Sequence, residues 1–214
     1  MSETNPTFDS LQEVKDIRRM MERSSRFTSL SGLSFVAAGI CALVGAWLAY
    51  RLISSYYGES LANWRYSNAE FSLLKDRLLL LAAAVFGAAA ITAFYFTWRK
   101  AMRQQISLWD YSVRKVFWAM AIPLGTGAVF IFEMLMYDEW RFVAPGCLVF
   151  YGLALANAGR HTVADIRYLG YLLIIIGLVN MYFIRYGLQS WILGFGVLHI
   201  IYGIVMWWKY ERKA

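Results

Sequence analysis

Six apolar runs, each long enough to cross a bilayer, constrain this chain more than any other feature. They occupy about residues 30–52, 78–98, 116–137, 142–159, 168–184 and 191–208. A helix rises about 1.5 Å per residue and the hydrocarbon core is about 30 Å thick, so about 17 apolar residues can span it. Inside hydrocarbon the backbone must bond to itself, which leaves helices or closed β-barrels. Barrel strands alternate in polarity, whereas residues 78–84 read LLLLAAA. The sequence therefore predicts an all-α polytopic membrane protein with six transmembrane helices. The last three runs are short and should stand near-upright.

Composition excludes the other classes. Of 214 residues 59% are hydrophobic and only 16% charged, against about a quarter charged in soluble domains. Disorder requires low hydrophobicity and is excluded over most of the length. The net charge of +7 fits lysines and arginines held at anionic lipid; no nucleic-acid motif accompanies it. Cys41 and Cys147 both fall within apolar runs and read as small hydrophobes. The first run follows a long polar stretch and is long enough to span, so it reads as an anchor and not as a signal core.

Loop charge gives an orientation. Fifteen of the 21 Lys and Arg residues fall on the side of the two chain ends, including Lys15, Arg99, Lys100, Arg103, Arg114, Lys115, Arg160 and Lys209. Six, namely Arg51, Arg65, Lys75, Arg77, Arg141 and Arg185, fall on the other. The positive-inside rule then puts both termini in the cytoplasm. The tryptophans, among them Trp98, Trp118, Trp140 and Trp191, sit near span ends, where an amphipathic indole is best accommodated.

The chain divides into an arm (1–29), the six-helix domain (30–208) and a tail (209–214). In the arm, Phe8, Leu11, Val14, Ile17 and Met20 recur at helical spacing after a Ser10–Glu13 capping box. This predicts a cytoplasmic amphipathic helix. Its mixed charges make residues 8–28 a surface for a second copy or a cytoplasmic protein partner as well as for lipid. The longest loop is expected at about residues 53–77, with the second helix beginning near Asn68.

Polar side chains in hydrocarbon are costly and are the natural functional candidates. Glu133, Asn180 and Arg185 are expected at similar depth near the far end of the bundle, with Arg185 able to neutralise Glu133. Such a cluster is either a solute or ion site, or simply a hydrogen-bonded lock between helices three and five. His199 falls at the centre of helix six, where an imidazole can relay a proton or bind a metal. Haem ligation would need His161, which lies about 15 Å away in depth. The plainer reading is a neutral histidine bonded to backbone or to a tyrosine such as Tyr202. Asp165 reads as a cap for helix five. Small residues, as in Ala83-x-x-x-Gly87 and Ala84-x-x-x-Ala88, predict close helix approach; Pro123, Gly125 and Gly127 permit a bend in helix three.

The segments MMERSSRFTSLSGLSFVAAGICALVGAW and GVLHIIYGIVMWWKYER resemble an uncharacterised family of bacterial six-span inner-membrane proteins of similar length. That resemblance implies a bacterial inner-membrane location and brings no activity, cofactor or site with it. No Gly-x-Ser-x-Gly or His-Glu-x-x-His run is present, so no enzymatic machinery is visible. Two functions stand as expectations: a non-enzymatic membrane module for assembly, sensing or regulation, and a small-solute or ion transporter or channel using Glu133, Asn180, Arg185 and His199.

Overall fold

The computed structural model of the protein describes residues 31–63, 68–103, 111–210 and 212. The arm expected over residues 8–28 lies outside them. Six helices follow in order: α1 (Gly32–Asn63), α2 (Asn68–Arg103), α3 (Tyr111–Met136), α4 (Val143–Ala158), α5 (Asp165–Tyr182) and α6. The last covers residues 187–210 in three consecutive stretches, Gly187–Trp191, Ile192–Leu198 and His199–Tyr210. Single 3₁₀ turns, Trp140–Phe142 and Ile184–Tyr186, join α3 to α4 and α5 to α6. All six are long and apolar enough to cross a membrane, and no strand occurs among the described residues. The protein is a polytopic helical membrane protein.

Two helices outrun their apolar runs. α1 has 32 residues and α2 has 36, about 48 and 54 Å at helical rise. The loop expected over residues 53–77 is mostly helix as a result, since α1 continues to Asn63 and α2 starts at Asn68. Hydropathy reports where a helix leaves hydrocarbon, and these two continue past that point. In α2, Glu70 in the first turn and Lys100 and Arg103 in the last match the helix dipole.

Glycine sets the central seams. On α4 and α5, Gly152 and Gly170 meet backbone to backbone: a Cβ on Gly170 would stand 2.6 Å from Gly152 O and from Ala156 N. On α1 and α6, a Cβ on Gly203 would stand 2.7 Å from Gly32 O. Where lipid is as apolar as leucine, such close approach supplies the dispersion contact that holds helices together. The core forms between them from Phe35, Leu148, Leu155, Ile166, Leu169, Leu173 and Met206.

The outer two helices each lean on one neighbour. α3 packs along α4, with Gly127 against Phe150 and Asn157 Nδ2 donating to Ala119 O at 2.8 Å. α2 packs along α1, with Val85 filling the space beside Gly45. None of the most apolar stretch of α2 is buried. The end holding Arg103, Tyr111, Asp165 and Tyr210 is called proximal, and the end holding Lys75, Trp140 and Ile184 distal. Asp165 does not cap α5 with its side chain. Its carboxylate instead accepts from Lys209 Nζ (2.9 Å) and Tyr210 Oη (3.0 Å), closing α5 on α6 at the proximal end.

The surface inverts that of a soluble protein. Leu80, Phe86, Ile91 and Phe94 of α2, and Phe117, Ile122 and Val129 of α3, are each more than six-tenths exposed. Hydrocarbon is the solvent in which such a surface is stable. Among the described residues the small-residue steps expected to draw α2 onto a neighbour are not used: Ala83, Ala84 and Ala88 are exposed and nothing stands within 4 Å of a Cβ on Gly87.

Gly170→Ala should lower stability by about 1–3 kcal/mol, since neither backbone can yield without parting α4 from α5. Gly87→Ala should be neutral or stabilising by up to ~1 kcal/mol, because its Cβ enters open space and favours the helix. Thermal unfolding of the two variants in detergent tests the contrast; equal midpoints would count against the seam.

Candidate functional site

Among the described residues His199, 2% exposed, is the one titratable side chain among the buried polar groups. Its position follows from the stretch before it. Ile192–Leu198 is π-helix, seven residues of wider winding between two α-helical stretches. Such insertions are rare and recur at functional sites. Gly194 and Gly196 let it fit: Leu148 and Leu173 close on the first and Leu43 on the second, where a Cβ would collide.

The histidine takes up a carbonyl of this widened turn. His199 Nδ1 lies 2.8 Å from Gly194 O. A carbonyl oxygen can only accept, so Nδ1 carries the proton. In the neutral ring Nε2 then has a free lone pair, and Tyr151 Oη of α4 lies 3.3 Å from it as donor. Phe35, Tyr151 and Phe195 surround the ring at centroid distances of 6.1, 5.5 and 5.9 Å. Trp191 extends this stack at 4.6 Å from Phe195. Both imidazole nitrogens are thus engaged within the protein. The expected backbone bond is formed, but the tyrosine is Tyr151 and not Tyr202.

The other three candidates do not join His199. Asn180 is buried at the end of α5, where its Nδ2 donates to Phe183 O at 3.0 Å and closes the last turn. Its Oδ1 is buried with no hydrogen-bond partner. Glu133 is exposed on α3, and Arg185 is exposed in the turn between α5 and α6. Among the described residues the ion pairs at this end are Lys75–Asp138 and Arg141–Glu139 instead. The seam order explains the separation, since α3 packs on α4 and α4 packs on α5. Asn180 and Arg185 flank one turn, Glu133 faces outward, and His199 lies between α1, α4 and α6.

Among the described residues no three His, Cys, Asp or Glu side chains are grouped so as to hold a metal. Cys41 and Cys147 are unpaired thiols on α1 and α4. The arrangement around His199 can hold α6 to α4 by one polar strut and fix a single tautomer. Sequence reasoning did not find Tyr151, which lies 48 positions from His199. No local pattern marks it among 14 tyrosines.

Tyr151→Phe should cost about 0.6 kcal/mol, the mean for a hydrogen bond between membrane helices. His199→Ala should cost about 2–4 kcal/mol, by leaving a cavity and removing both imidazole hydrogen bonds. Thermal midpoints in one detergent measure both. A Tyr151→Phe loss as large as that of His199→Ala would make the tyrosine, not the carbonyl bond, the main contact.

No family model matches the chain, and neither a curated protein nor a solved structure matches it.

Proposed function

We propose that this protein is a non-enzymatic module of the bacterial inner membrane that works by lateral assembly, in the service of sensing or regulation. The observation that carries the reading is α2: a long apolar helix that packs along one described neighbour, with no burial along its most apolar stretch and a row of small residues that no other described helix uses. Small residues at four-residue spacing let backbones approach closely. A second copy supplies the missing face. The state of the polar residues supports the same view, because His199 is fully bonded and Glu133 and Arg185 stand apart on exposed positions.

In this reading both termini are cytoplasmic and the proximal end faces anionic lipid. The support is the excess of Lys and Arg there. Lys100 and Arg103 close α2, and Arg114 and Lys115 open α3. Residues 8–28 then offer the cytoplasmic surface for a protein partner.

A small-solute or ion pathway is the second reading. The buried, unpartnered Asn180 Oδ1 favours it, because such an acceptor suits a water or a cation. Flux through proteoliposomes that falls on Asn180→Ala or His199→Ala in a folded protein would establish that reading over assembly.

Assembly is tested by single cysteines at Ala83, Ala84 or Ala88 in a background lacking Cys41 and Cys147. Mild oxidation in membranes should give a disulfide-linked dimer from these positions and none from exposed Leu153 or Tyr182 on α4 and α5. Equal cross-linking at all five positions would sink the idea. Removal of residues 1–28 should leave that dimer intact and release any co-purifying cytoplasmic partner.

A further inference from the structure

At the distal end α2 is fastened a second time, to a part of the chain it does not otherwise pack along. Lys75 Nζ donates to Asp138 Oδ1 in the turn after α3. The same ammonium lies 4.9 Å from the Phe71 ring and 5.3 Å from the Trp140 ring. Phe71 and Trp140 lie 6.2 Å apart by centroid, and Tyr56 of α1 continues the row at 6.0 Å from Phe71. One cation is thus shared by a carboxylate and two aromatic faces, each of which attracts it.

Asp138 is held there at a conformational cost. It has φ 63°, the one positive φ of a non-glycine residue among those described. It occupies the position after the end of α3 where glycine is normal, for Glu139 N donates to Met134 O and Asp138 N to Leu135 O. Local geometry alone favours glycine at this point. Aspartate gives the turn what glycine lacks, an acceptor for Lys75.

We propose that Lys75 and Asp138 form a releasable latch that sets how far α2 stands from the α3–α4 hairpin. The pivot is the seam with α1, where Val85 sits against Gly45. α1 is itself fixed to α6 by the Gly32–Gly203 approach, so motion falls to α2. Between latch and proximal end, α2 and α3 form no extensive seam of their own. The Lys75 and Asp138 side chains are 26% and 70% exposed, so solution ions reach the pair. Exposed ion pairs are weak and screened by salt, a property that permits release. This inference does not rest on the assembly reading, since α2 can swing whether or not a second copy binds it.

The decisive variant is Asp138→Gly, which removes the carboxylate while giving the turn its preferred residue. Spin labels at Leu80 on α2 and Phe132 on α3 report the gap in reconstituted protein lacking Cys41 and Cys147. A second labelled pair, Leu153 and Leu172, reports the α4–α5 seam. Asp138→Gly and Lys75→Met should each lengthen and broaden the first distance distribution and leave the second unchanged. The double variant should look like either single one. Raising salt should broaden the first distribution in the parent and not in Asp138→Gly. A first distribution identical to the parent in both single variants overturns the latch. So does an equal change in the second pair, because Lys75 and Asp138 would then be holding the whole bundle.

Discussion

The close meeting of Gly152 on α4 with Gly170 on α5 is the contact on which the rest of the bundle depends. A membrane offers helices no hydrophobic gain from touching one another, because lipid tails already satisfy an apolar side chain. What remains is dispersion, and it grows with the number of atoms brought to contact distance. Removing two β-carbons lets two backbones approach, and Leu148, Leu169 and Leu173 then close around the seam with almost no exposure. α6 lies along this pair and α1 along α6, while α2 and α3 attach last, each to one side.

His199 belongs to this same economy. A π-helical stretch shifts backbone bonds from four residues apart to five, and a carbonyl there comes within reach of a side chain as a second donor. The imidazole meets Gly194 O and, through its other nitrogen, the Tyr151 hydroxyl. A midplane histidine is costly in isolation. Here it satisfies acceptor and donor within one ring and links two helices. Its neighbours Phe35 and Phe195 exclude solvent from both bonds.

The six helices were legible because each apolar run must be long enough to cross hydrocarbon, a requirement written in consecutive residues. The end of α1 was not legible, since residues 53–63 read as loop yet continue as helix, whereas the start of α2 near Asn68 was expected and is found there. The candidate site was legible residue by residue and not as a constellation. His199 and Asn180 stand out in sequence as polar groups in apolar runs, and both are buried. Their partners lie in contacts that no local pattern encodes: Tyr151 is 48 positions from His199, and Asp138 is 63 from Lys75. The alanines and glycine of α2 illustrate the same limit. Sequence marks them as suited to close approach without saying which helix approaches.

The π-helical stretch of α6 also alters the phase of the helix that contains it. An α-helix turns about 100° per residue, so residues wound more widely rotate everything that follows relative to everything before. Ahead of the stretch and at its start, α6 addresses α4 and α5, with Gly187 near Ala144 and Gly194 under Leu148 and Leu173. Beyond it the same helix packs mainly along α1, with Gly203 against Gly32 and Val36. The main partner of α6 thus changes along its length from α4 to α1, while Lys209 still reaches Asp165 of α5 at the proximal end.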